Sequence, residues 1–158
     1  MQPSTNQQDT EFGLMIFEDN QWVLERRATL GDRTVPICVE LEATQTGEAS
    51  PLQREAVRQA LTLPHDVLHT SAPVVLQNYE VYREAMGDEE LPPLSDPVQV
   101  WNEVTFSYLF VPPHAGYNLQ TPSFMLLAEC SWDPEHGLEV RFRNGVADAA
   151  SQQGDLGW

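Results

Sequence analysis

The sequence predicts an α+β fold: an antiparallel sheet of about six strands, with two helices inserted between strands 3 and 4 and packed on the sheet. Three observations predict it. Short alternating apolar runs, separated by turn signals, fill residues 12–41 and 104–143. Between them, Leu52, Ala56, Ala60 and Leu63 recur at helical spacing, and Val75, Tyr79 and Tyr82 do so again. The 158 residues suit one domain, long enough to bury about two thirds of the surface its unfolded chain exposes.

Taken in order, residues 1–10 read as a disordered lead-in, because Gln2, Ser4, Asn6, Gln7 and Gln8 offer nothing to bury. Residues 11–150 then form a single α+β domain. Phe12–Phe17 is a first strand, ended by the turn Glu18-Asp19-Asn20. Trp22–Leu30 alternates up to Gly31-Asp32, and Val35, Ile37, Val39 and Leu41 alternate again, with Pro36 marking an edge. Ser50 and Pro51 are a helix cap and first-turn residue, opening a helix over about 51–63 that Pro64 stops. The second helix spans about 66–86, with Pro73 kinking or restarting it and Gly87 ending it.

After a loop at 88–93, Val104–Val111 alternates until Pro112-Pro113. Phe124–Trp132 is apolar on both faces and reads as a central strand. Leu138, Val140 and Phe142 alternate with Glu139, Arg141 and Arg143, and Asn144-Gly145 is a turn signal. The small, polar remainder ends in a loose tail at 151–158.

Charge narrows the function. Twenty-four acidic residues stand against eight basic ones, all arginine, for a formal net charge of −16. The excess runs through the whole chain. It disfavours nucleic acid and anionic lipid, and attracts a basic partner at long range. The most concentrated acidic stretch, Asp88, Glu89 and Glu90 with nearby Asp96, is the candidate partner-binding surface. No apolar run reaches the ~20 residues of a membrane helix, and the polar N-terminus lacks a signal pattern, so a cytoplasmic address is expected.

The stretch richest in chemical groups is Cys130-Ser131-Trp132-Asp133-Pro134-Glu135-His136-Gly137-Leu138. As a turn it makes sense throughout. Asp133 can accept backbone N–H groups, Pro134 fixes the next φ, Gly137 permits the return, and Trp132 caps the core. Glu135 and His136 can hydrogen-bond across it. The competing reading makes Asp133, Glu135 and His136 a site for a metal ion or for proton transfer. Because the turn reading accounts for every residue, Trp132, Asp133, Glu135, His136 and Gly137 are read first as structural.

Other chemistry finds no footing. His65 and His69 are four apart but lack the glutamate of a metalloprotease helix. Cys38 and Cys130 lack metal-ligand spacing and read as buried small hydrophobes. There is no phosphate loop, dinucleotide fingerprint or basic stripe. No catalytic residue, metal ligand or cofactor is assigned.

The nine residues from Cys130 to Leu138 resemble a bacterial domain family of unknown function, marked by a C-x-W-D-x-E-H-G-L pattern after a hydrophobic strand. Looser agreement comes from Pro51 with Gln53 and from Val100-Trp101-Asn102-Glu103-Val104, so that the likeness spans about residues 12–150. Glu139 departs from the pattern, where a small residue is frequent. Members are similar in size and acidity to immunity proteins that neutralise bacterial toxins. The resemblance therefore implies a non-enzymatic acidic binding protein of that type, whose partner is a basic protein such as a toxin. The alternative is a small metal-binding protein or hydrolase-like enzyme centred on Asp133, Glu135 and His136. Unpaired strand edges leave room for a homo-oligomer.

Overall fold

A computed structural model describes residues 5–42 and 48–158. Among them are ten strands and three helices: β1 (Thr5–Asp9), β2 (Gly13–Glu18), β3 (Gln21–Leu24), β4 (Ala28–Leu30), β5 (Arg33–Val35), β6 (Ile37–Glu40), α1 (Pro51–Leu61), α2 (Val67–Met86), a 3-10 helix (Pro97–Glu103), β7 (Val104–Val111), β8 (Ser123–Cys130), β9 (Leu138–Arg143) and β10 (Val146–Ser151). Eight strands make one sheet in the order β1-β2-β3-β6-β7-β8-β9-β10, and β4 with β5 forms a separate hairpin.

This corrects the expected six-stranded antiparallel sheet with two helices. The main sheet is larger, and it is mixed, because β6 and β7 pair in parallel. The segment 22–41 holds four short strands. Glu25-Arg26-Arg27 breaks the alternation after Leu24, so the chain leaves the main sheet and turns through Gly31, whose φ is +66°. Pro36, lacking an N–H, separates β5 from β6. The Pro36 carbonyl instead accepts the Leu109 N–H at 2.9 Å, which starts the parallel seam.

Both chain ends differ from expectation too. Thr5–Asp9, taken for a disordered lead-in, pairs with β2 from Thr5↔Phe17 to Asp9↔Gly13. An edge strand needs only backbone partners, so its polar side chains are no obstacle. Asp9 then accepts the N–H groups of Glu11 and Phe12 and takes the Arg54 guanidinium at 3.0 Å, an ion pair that holds its carboxyl down at about 2. At the other end β10 joins β9 through Asn144-Gly145, both at positive φ. Its small side chains Ala147 and Ala150 pack against the core and leave room for α2 to approach.

The stretch 151–158, expected as a loose tail, is tied down. Buried Glu139 accepts the Asp155 and Leu156 N–H groups at 3.0 and 3.2 Å, and Arg141 donates to the Gly157 carbonyl at 2.8 Å. Such long-range partners lie on β9 and leave no local trace in the tail itself.

One core lies between the helices and one face of the sheet. Ala56, Val57 and Ala60 of α1 and Val67, Ala72, Val75 and Tyr79 of α2 cover Leu109, Val111, Phe124, Leu126, Val140 and Phe142. Phe124 and Phe142 stack with centroids 4.9 Å apart. Ser50 and Gln53 close a capping box at the start of α1. The buried Gln53 amide also donates to the Glu40 carbonyl at 2.6 Å and the Pro112 carbonyl at 3.0 Å, fixing α1 over the β6–β7 seam. No helix of the described residues is long and apolar enough to cross a membrane.

Candidate functional site

Between β8 and β9 the chain turns at Ser131–Gly137, and the Asp133 side chain organises the turn. Only 8% of Asp133 is exposed. The Asp133 Oδ1 accepts the His136 N–H at 3.2 Å, and His136 Nδ1 lies 3.0 Å from Oδ1 and 3.2 Å from Oδ2. A carboxylate accepts only, so His136 Nδ1 carries its hydrogen, and the other ring nitrogen is left on a side chain that is 54% exposed. From α2, the Tyr82 phenol donates to Asp133 Oδ2 at 2.6 Å. Burial works against the Asp133 charge. The Tyr82 hydroxyl and both His136 donors outweigh it and hold the carboxyl below its ordinary range. The same bond, with burial, pushes the Tyr82 phenol up to about 12.

The rest of the turn is anchored with equal care. The indole of Trp132 donates to Asn78 at 2.8 Å and meets the Tyr79 ring edge-on at 5.3 Å. Ser131 bonds Glu103 through its backbone N–H at 3.0 Å and through its hydroxyl at 2.6 Å. Gly137 sits at φ +72°, and its N–H donates to the Asp133 carbonyl at 2.9 Å. A Cβ there would lie 2.7 Å from the Ala128 carbonyl oxygen. Cys130 is buried, and burial pushes its thiol up to about 11, so it stays protonated and unreactive at neutral pH.

The structure therefore joins Asp133 to His136 but leaves Glu135 out: its exposed carboxylate makes no hydrogen bond or ion pair with the described residues. Nor does any group of three or more His, Cys, Asp or Glu among the described residues converge as a metal site. His65 lies in the turn before α2 and His69 inside the helix, so they do not share the helical face their spacing suggests.

The acidic loop divides in a similar way. Asp88 pairs with Arg83 at the end of α2. Asp96 caps the 3-10 helix, accepting the Val98 N–H at 3.1 Å, while its own N–H donates to Gln99. Of Asp88, Glu89, Glu90 and Asp96, the two glutamates carry exposed carboxylates with no such bond to the described residues.

The family model described as Domain of unknown function (DUF6985) matches residues 11–156. The chain belongs to that family. No curated protein and no solved structure matches it.

Within this DUF6985 domain, the supporting residues that sequence reasoning missed are Asn78, Glu103 and Gln153. Asn78 and Tyr82 are four apart on α2 and so reach the same turn. That spacing was the available signal. Gln153, which donates to the Ala128 carbonyl at 2.8 Å beneath Gly137, had none, because its partner lies on a strand far away in sequence. Chemically, the DUF6985 turn presents one imidazole fixed at Nδ1 by a buried carboxylate. That is the orienting half of an acid–base pair.

Proposed function

We propose that this domain is a non-enzymatic binding protein that captures a basic protein partner, of the immunity type in which the partner is a bacterial toxin. One observation carries the reading. Arg54, Arg58, Arg83, Arg141 and Arg143 are each engaged by carboxylates of their own chain. Their charge is spent locally. Glu18, Glu25, Glu40, Glu89, Glu90 and Glu129 have no such bond among the described residues and face solvent wholly or in part.

The net field such a surface presents to an approaching partner is negative, although Arg26 and Arg27 are exposed cations with no carboxylate partner among the described residues. Steering of this sort raises association rates from ~10⁵–10⁶ toward ~10⁸–10⁹ M⁻¹s⁻¹ at low salt. Toxins that cut nucleic acid must themselves bind phosphate and are therefore basic.

The test is capture from a lysate of the source organism on immobilised protein, eluted with salt beside a charge-matched acidic control. One basic protein eluting sharply, and absent from the control, is expected. Retention no better than the control's removes the reading. With that partner in hand, Glu89→Gln with Glu90→Gln slows association and flattens its salt dependence, whereas Asp88→Asn and Asp96→Asn act mainly on stability.

The oriented His136 supports a second reading, a proton-transfer or metal site centred on Asp133 and His136, with Glu135 beside it. Stoichiometric metal in purified protein, or an activity lost in His136→Ala at unchanged melting temperature, would favour it. A fall in melting temperature alone assigns the pair to the turn.

A further inference from the structure

The helices cover only one face of the main sheet. Cross-strand register shows what lies on the other: Ile16, Val23, Cys38 and Phe110 are successive neighbours across β2, β3, β6 and β7, and Met125 follows on β8. None of the five belongs to the core between sheet and helices. An uncovered sheet face ordinarily alternates to polar side chains. Here it does not. Ile16 is 39% exposed and Tyr108, further along β7, is 38% exposed, while Val23, Cys38 and Phe110 are half-buried; Met125, at 4%, is buried, so the open part of the row ends at β7.

At the β7 end, Trp158 lies over Phe110 and beside Tyr117, with ring centroids 6.4 and 6.3 Å away, so the tail covers only that edge of the row. Among the described residues no helix crosses the remainder. Carboxylates border it. Glu18, Gln21 and Glu40 form the next registered row on one side; toward the other lie Glu129 and Glu25, the latter followed by the exposed Arg26 and Arg27, so the stronger acidic border is the side of Glu18 and Glu40. These four glutamates have no ion pair among the described residues.

We infer that this sheet face, from Ile16 on β2 to Tyr108 on β7, is the docking surface for a basic protein partner that presents apolar side chains between arginines or lysines. The inference rests on the binding-protein reading above and adds the place and the mixed chemistry. Apolar contact excludes water over the row, and the glutamates meet the partner's cations at its rim. A second copy of this chain fits poorly, because face-to-face packing would bring the same unpaired glutamates of two highly acidic chains together.

The probe is a short amphipathic helical peptide of leucine and arginine, with an arginine–glycine peptide of equal charge as reference. Binding is read by fluorescence anisotropy at about 0.15 M salt, where screening is ~8 Å. The variant is Ile16→Asp with Tyr108→Asp, and the comparator is Val81→Asp, an exposed apolar position on α2. Both variants add negative charge, which by itself strengthens attraction to a cationic peptide. A loss in the sheet variant therefore reports lost apolar contact.

We expect the leucine–arginine peptide to bind wild type more tightly than the reference. Affinity should fall at least about tenfold in the sheet variant and hold in the comparator. Val23→Thr, which keeps the side-chain shape, should weaken binding in the same direction if the double variant fails to fold. Equal binding by both variants overturns the surface and leaves the basic-partner reading to its own lysate test. Equal binding of the two peptides overturns the apolar part. A dimer in sedimentation that Ile16→Asp abolishes puts a second copy on the face and also overturns the inference.

Discussion

The Tyr82 hydroxyl donates to the Asp133 carboxylate over 2.6 Å, tying the C-terminal part of α2 to the turn after β8. With the Trp132–Asn78 bond and the Trp132–Tyr79 ring contact, it fixes the helix to the turn, on the side where α2 packs against β10.

Tyr82→Phe removes the donor and leaves Asp133 with its His136 contacts. Loss of a hydrogen bond to a charged group costs about 1.5–3 kcal/mol, and urea unfolding should show a loss in that range. Ultraviolet titration gives a second readout. The phenol held up at about 12 in wild type should disappear in Tyr82→Phe and move back toward 10 in Asp133→Asn. The Asp133 contribution also has a pH sign. Its folded carboxyl is depressed, so the stabilisation is present above the unfolded value of about 3.9 and fades as pH falls below it.

Gly137 and Gly145 both sit at positive φ, at +72° and +81°, but their surroundings differ. A Cβ on Gly145 meets open space, so Gly145→Ala should cost only the left-handed strain, about 1–2 kcal/mol. On Gly137 it meets the Ala128 carbonyl, which is strand backbone and cannot step aside. Gly137→Ala should therefore be the more damaging by at least about 1 kcal/mol in chemical denaturation. Equal losses would show that the β8–β9 junction yields more easily than its contacts imply.

His114 gives the domain an acid-sensitive point. It is 1% exposed, with Nδ1 2.9 Å from the Pro112 carbonyl and Nε2 accepting the Ser123 N–H at 3.0 Å. Both nitrogens are thus committed to the neutral form, and burial depresses the imidazole although Glu42 pulls the other way. A depressed histidine stabilises the fold above its unfolded value of about 6.5, and this is lost as pH falls below it. The stability gap between wild type and His114→Gln should narrow from about pH 7.5 to 5.5. A constant gap would mean that the histidine protonates without cost to the fold.

Local signals carried much of what could be read beforehand. Ser50 with Pro51 marks the start of α1 because a cap is written in adjacent residues, and Asn144-Gly145 marks a turn for the same reason. The sheet's extent was not legible. Thr5–Asp9 has no apolar periodicity, because at an edge the backbone does the pairing. The separation of β4 and β5 depends on where the chain goes after Leu24, and the parallel register of β6 and β7 on residues far apart in sequence. At the candidate site, Asp133 announced itself as turn chemistry. The four-residue spacing of Asn78 and Tyr82 put them on one face of α2, but that this face meets the turn was a tertiary fact, and neither the partition of the acidic loop nor the open apolar row shows in composition.

The parallel seam between β6 and β7 also shapes how the molecule assembles. On its N-terminal side β1, β2, β3 and β6 are linked antiparallel neighbours, and on its C-terminal side β7 to β10 form an uninterrupted meander. Each half can zip up through short loops. The seam cannot, because parallel strands need a crossover, and here residues 41–103 supply it. Pairing across that loop is non-local, the kind of contact that slows folding, whereas each half pairs mainly with its chain neighbours. Two half-sheets joined by one seam are also two pieces that could be made separately. A chain cut between α1 and α2 has its best prospect of recombining along this line.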